Sequence, residues 1–205
     1  MRTFCVVPVL MLLVVMVARA EEEATPPRPT LRILQEMMSS AADSLFGCIP
    51  DPSGQTVMAT VLPPKTSWYL EQPVIDVLRA RALLPSQSAD AAYSAELGVT
   101  RSGVLYQNPR RTWFLGSQIV DRSVQLSVWA KLIRTKTGEV LVAHEFTRGF
   151  TDTVAVADLD ALETPGIPAT RGVIPSPGLF GSFVEPVVLV GSIAVAIVLL
   201  FSVRS

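Results

Sequence analysis

Nucleophilic and acid–base catalysis need side chains that converge, and this chain offers few candidates. Its only histidine is His144, followed by Glu145. A triad, a zinc site or a proton relay built on it would need partners brought from elsewhere. His144 alternates with Val142 and Phe146, so it reads as a satisfied strand histidine on an inward face. No Gly-x-Ser-x-Gly, His-Glu-x-x-His, phosphate-loop or paired-cysteine signature occurs. Asp152, Asp158 and Asp160 cluster, but their spacing lacks the loop glycine and terminal glutamate of a calcium loop, and helix capping accounts for them better. These residue types assign no catalytic residue, no metal and no cofactor. The expectation is a protein that is not an enzyme.

Recognition chemistry is better represented. Arg110-Arg111-Thr112-Trp113-Phe114-Leu115 sets two arginines beside two aromatics, in what reads as a loop between strands. Trp and Arg dominate binding hot spots, and arginine forks match carboxylates. Arg110, Arg111, Trp113 and Phe114 are therefore the expected partner-binding residues, facing an acidic peptide or an anionic glycan. The competing reading is a turn whose aromatics close a core edge while the arginines stay solvated. Trp68-Tyr69 reads as core or helix-end packing. Cys48, the one cysteine outside the amino-terminal apolar run, reads as a small, semi-buried residue at a helix end.

Periodicity supplies the elements that must position these residues. Thr30 can cap a helix from Leu31 to Phe46, with Leu31, Leu34, Met38, Ala41, Ala42 and Leu45 on one face. Gly47 ends it, and Pro50 to Gly54 is a loop of turn formers. Gln55 to Leu62 reads as a strand, and Thr66 or Ser67 opens a second helix toward Leu84, kinked at or starting from Pro73. The second half changes period. Glu96 to Gln107 is expected to carry Leu97, Val99 and Leu105 on one face. Arg122 to Arg134 alternates strictly, with Val124, Leu126, Val128, Ala130 and Leu132 opposite Gln125, Ser127, Trp129 and Lys131. Thr135 to Gly138 is a hairpin turn, and Glu139 to Phe150 returns with Val140, Val142, His144 and Phe146 together. The expected domain (31–163) is an α+β, two-layer sandwich of a mostly antiparallel sheet with helices on one face.

The two ends carry an address. Met1-Arg2, the apolar run from Phe4 to Val17 and Ala18-Arg19-Ala20 fit a signal peptide cut after residue 20. Residues 21–30 are polar and Pro-rich and read as a disordered start. From Thr164 to residue 184 the chain is Pro- and Gly-rich and reads as a tether. Val187 to Val203 is without charge and, with its flanks, suits a transmembrane helix over residues 185–203, leaving Arg204-Ser205 as a cytoplasmic tail. Of 17 basic residues, Arg2, Arg19 and Arg204 fall in or beside these segments; the remaining 14 face 18 acidic ones, a net charge of −4. That balance excludes nucleic acid as a partner, which requires clustered cations. The lone asparagine precedes Pro109, so no glycosylation sequon exists, which leans toward a bacterial envelope. The expected location is the bacterial inner membrane, single-pass, with the domain in the periplasm.

The succession helix, strand, helix and then antiparallel strands resembles TolB amino-terminal, penicillin-binding-protein activator and curli or flagellar accessory domains. Trp68 to Leu84, Leu97-Gly98-Val99-Thr100-Arg101-Ser102-Gly103-Val104 and Val124 to Val142 with Thr137-Gly138 carry the likeness. The chain departs from that group in lacking a lipobox and in its expected carboxyl-terminal membrane helix. The resemblance implies interaction rather than catalysis: a tethered module assisting assembly or regulation of an envelope complex, whose partner is another envelope protein, a peptide or a glycan. Two alternatives stay open. One is a small structural subunit whose membrane helix does the binding; the other is a membrane-anchored hydrolase working without histidine.

Overall fold

Apolar residues at helical spacing build helix α1 (Thr30–Phe46), whose Ile33, Leu34, Met38, Ala42, Leu45 and Phe46 are buried. The computed structural model describes residues 26–112 and 116–175. The expected signal peptide (1–20), membrane helix (185–203) and tail (204–205) lie outside the described residues. Among the described residues, no helix is long and apolar enough to cross a membrane.

Strand β1 (Thr56–Leu62) follows α1, then a short helix α2 (Pro64–Ser67), a 3₁₀ turn (Trp68–Leu70) and helix α3 (Glu71–Ala80). Pro73 falls in the first turn of α3, where its missing N–H is tolerated, so the regular helix starts near it without a kink. A two-residue strand β2 (Leu84–Pro85) precedes the long strands β3 (Tyr93–Arg111), β4 (Gln118–Arg134) and β5 (Glu139–Ala155). A 3₁₀ turn (Val156–Asp158), helix α4 (Leu159–Leu162) and a second 3₁₀ turn (Pro168–Thr170) complete the described chain.

The fold is α+β around a five-stranded mixed sheet in the order β2-β1-β3-β4-β5. β3, β4 and β5 form the expected antiparallel meander, closed by a turn in which Gly138 has φ of 68°. β1, however, is parallel to both β2 and β3. The helices α2 and α3 carry the chain from the end of β1 back to the start of the sheet, so the next strand must run the same way. α1 and α3 pack on each other, α1 against β4 and β5, α3 against β1 and β2.

The inward row of β4 is as expected: Val124, Leu126, Val128, Ala130 and Leu132 have essentially no exposed surface. The other two long strands change face part-way. In β3, Val99 pairs with Val128 and Arg101 with Ser127, leaving Thr100 as an extra residue. Such a bulge shifts the alternation by one. Leu97 is therefore buried as expected, but Leu105 is exposed and Tyr106 takes the inward position. In β5 the shift lies between Val142, opposite Leu132, and Val140, opposite Ile133, so Val140 leaves the face expected for it. Other expectations are corrected by contacts. Thr30 does not cap α1; Pro29 holds the cap position without a side-chain bond, and the Thr30 hydroxyl accepts from Arg122. Cys48 is exposed.

The stretch from Thr164, expected as a tether, stays packed at least to Gly172. Ile167 and Thr170 are buried there. The Thr170 hydroxyl receives the Thr164 amide at 2.9 Å and lies 2.9 Å from the Ile167 carbonyl to which it donates. The Glu163 carboxylate accepts from the Gly172 amide and the Tyr106 hydroxyl, both at 3.2 Å. Proline and glycine shape a fitted turn here rather than an open linker.

Candidate functional site

Where β1 ends and β3 bulges, the sheet opens into a groove of about 620 Å³. One wall is the chain from Pro63 to Tyr69, the floor is β3 from Val99 to Val104, and the other wall is Gly166 to Arg171. Each wall has a local cause. Leu62 is the last residue of β1, after which α2 turns away from the sheet. The Thr100 bulge re-aims β3, and its hydroxyl is held by the Ser127 carbonyl at 3.1 Å and the Glu145 carboxylate at 3.2 Å. The Thr170 hydrogen bonds hold the third segment in place.

Charge in this groove has one sign. Lys65, Arg101 and Arg171 line it, and no aspartate or glutamate does. None of the three cations has an ion-pair partner among the described residues, while seven ion pairs engage cations elsewhere. In a chain with more acidic than basic residues, that is an unneutralised positive spot. Trp68 and Tyr69 divide between rim and floor. Tyr69 is buried, donates its hydroxyl to Ser102 Oγ at 3.4 Å, and has its carbonyl held by Gln35 at 3.2 Å. Trp68 stands edge-on to it at 6.2 Å and is 59% exposed. The expectation of packing holds for Tyr69 and fails for Trp68, because the 3₁₀ turn points successive side chains in different directions. Cations, hydroxyls and an open indole together suit an anionic ligand that also presents apolar surface.

Arg110 and Arg111, expected to bind a partner, lie elsewhere, at the far end of the β3–β4 hairpin. β3 continues through Arg111, so both arginines are on a strand end rather than in a loop. Asn108, with φ of 50°, and Pro109 form a second bulge there. Arg110 is already engaged: its guanidinium meets Asp121 at 2.9 Å, and Asp121 also accepts from Asn108 and Thr153, each at 3.0 Å. Arg110 first, then those two donors, hold the Asp121 carboxyl well below the usual carboxylate range. Arg111 is exposed, and Trp113 and Phe114 lie outside the described residues.

His144 lies beside Ala130 in register, yet it is exposed, because β5 is the edge strand and α1 does not cover it there. Its ring stands edge-on to Phe146 at 5.1 Å. Asp152 pairs with Arg122, and Asp158 sits at the cap position of α4 without a side-chain cap bond, so neither does the capping expected. Sequence reasoning missed the groove because its walls come from three distant segments. The signal available was three isolated cations, each more than four residues from any carboxylate.

No protein-family model matches this chain, and no curated protein is similar to it in sequence. Among solved structures, a minor lipoprotein from Acinetobacter baumannii is 16% identical over 50% of this chain and 66% of that chain, just under two thirds of its length, with a TM-score of 0.29. A protein from Xanthomonas campestris is 14% identical, covering 55% and 76%, with a TM-score of 0.35. A lipoprotein from Neisseria meningitidis is 14% identical, covering 70% and 99%, with a TM-score of 0.30. Likeness at this level assigns neither family nor function.

Proposed function

We propose that this chain is a membrane-tethered interaction module of the bacterial periplasm, assisting the assembly or regulation of an envelope complex. It engages its partner through the groove between β1, β3 and the Gly166–Arg171 segment. The observation that carries this reading is the groove's lining: three cations without ion-pair partners among the described residues, no carboxylate, and an exposed indole. Side chains that could do chemistry in the groove amount to hydroxyls and cations without a histidine, which supports binding over hydrolysis. The resemblance to periplasmic assembly domains and the expected anchor support the location.

The experiment is capture by the full-length protein in mild detergent, using envelope extract. Wild type is compared with a Trp68→Ala, Arg101→Glu, Arg171→Glu variant. All three positions are exposed, so circular dichroism should be unchanged while recovery of the partner falls by about tenfold or more. Equal recovery by both baits would send the reading to the membrane helix or to the Arg110-Arg111 hairpin end.

A further inference from the structure

The groove is also an interrupted sheet edge. β1 pairs with β3 only as far as Leu62 opposite Gly98, while β3 runs on to Arg111. Beyond Gly98, the side of β3 that β1 occupied carries no strand among the described residues. The residues that line the groove from β3 are the next six, Val99 to Val104, in unbroken succession. This open stretch has a fixed upper end: a Cβ on Gly172 would stand 2.8 Å from the Tyr106 ring and 3.0 Å from the Val104 carbonyl oxygen, so the carboxyl-terminal segment presses on β3 there. Between the end of β1 and this crossing, six residues of edge span about 20 Å at ~3.3 Å per residue.

An open edge offers a row of backbone N–H and C=O groups, which only another backbone can satisfy along its length. That distinguishes the occupant from a lipid headgroup or a free phosphate, which would answer the charge but leave the row unpaired. The cations select the sign. Lys65 lies beyond the end of β1, Arg101 on β3 and Arg171 on the opposite wall, so a chain lying in line with β1 meets positive charge on both flanks. Side chains of an added strand alternate, so half would face Trp68 and Tyr69 and half the Arg101 side.

We propose that the groove takes an extended acidic peptide of another protein as an added β-strand along Val99–Val104, its carboxylates read by Lys65, Arg101 and Arg171. This rests on the binding reading above and specifies its ligand and geometry. The test uses the full-length protein in detergent and a fluorescent peptide of alternating glutamate and valine or threonine. Three companions are the glutamine-for-glutamate peptide and two forms N-methylated at alternate amides, in either register. In an added strand only every second amide faces the protein, so methylation in one register should weaken binding by about tenfold or more and in the other should leave it nearly unchanged. The glutamine peptide should also bind about tenfold more weakly, as should the acidic peptide to the Arg101→Glu, Arg171→Glu protein. If the acidic peptide binds through these arginines but the two methylated forms behave alike, the strand geometry is overturned and the anionic groove stands. If the acidic peptide does not bind, or binds the variant equally well, both readings are overturned.

Discussion

Arg122 and Asp152 stand opposite each other on β4 and β5, joined by two N–H···O bonds of 2.9 and 2.6 Å. Arg122 has no exposed surface, and its remaining bond reaches the Thr30 hydroxyl at 3.1 Å in the first turn of α1. Its neighbours along the inward row, Val120 and Val124, are fully buried apolar residues. Removing a guanidinium from water costs several kcal/mol, which an ion pair only offsets when its geometry is good and further hydrogen bonds support it. Fork-to-fork pairing with Asp152, together with the Thr30 bond, gives each guanidinium nitrogen a partner and fixes where α1 begins over the sheet.

Asp152→Ala should therefore destabilise far more than its partial exposure suggests. It leaves a buried cation without its counter-ion, at a cost of about 3–5 kcal/mol. Arg122→Met combined with Asp152→Leu should cost much less, because apolar replacements of similar volume remove the desolvation penalty along with the pair. Urea midpoints of the two variants give the comparison, and equal losses would mean that the pair itself is the source of stability.

Tyr106 sets an alkaline limit. Burial first, then the charge and hydrogen bond of Glu163, push its hydroxyl from an ordinary value of 10.0 up to about 12. The folded state holds the proton where the unfolded chain gives it up. The contribution is thus fully present below pH 10, declines between about 10 and 12, and is lost above. Stability of wild type should fall across that window by on the order of 2 kcal/mol more than that of Tyr106→Phe. Denaturation at a series of alkaline pH values measures it; parallel curves for the two proteins would refute the assignment.

Asp121 and Arg110 allow the hairpin end to be separated from the groove. Arg110→Ala removes the largest influence on the Asp121 carboxyl, whose pKa should rise back toward 3.8. Because the folded value is depressed, this pair's contribution is present above the ordinary carboxylate pKa and is lost as pH falls through the folded value. The wild-type hairpin end should accordingly survive to more acidic pH than the variant, as followed by carboxyl-carbon resonances. Arg110→Ala should leave acidic-peptide binding unchanged; a tenfold loss would place recognition at the hairpin end.

β4 is legible in the sequence because one of its faces is buried throughout, so apolar residues recur at every second position from Val124 to Leu132. That same parity places Arg122 in the inward row, but its partner is not legible, because Asp152 comes opposite only through the one-residue shift between Val140 and Val142. β3 resists because an extra residue leaves no compositional mark. Thr100 is an ordinary strand residue, yet it reverses the phase of the residues after it, exchanging Leu105 for Tyr106. The parallel placement of β1 is not legible either, since alternation reports a face and not a direction. Trp68 invites a packed reading because large aromatics are mostly buried, but successive residues of a helical turn face different ways, and here Tyr69 is the one turned inward.

The bulge at Thr100 makes chain length, as well as residue type, a constraint at that point. Serine alone could replace the threonine and keep a hydroxyl on Cβ within reach of Ser127 and Glu145. Loss of the position is a different event. Deleting Thr100 would close the bulge and join the two registers of β3 into one, with Ser102, Val104 and Tyr106 still on the helix side and Leu105 still turned away. The strand would keep both faces and lose the local bend that the bulge supplies, together with the Thr100 bonds to Ser127 and Glu145. The strand can thus absorb the loss of one codon at this point without exchanging its surfaces, whereas one further residue that no bulge takes up would turn over everything after it.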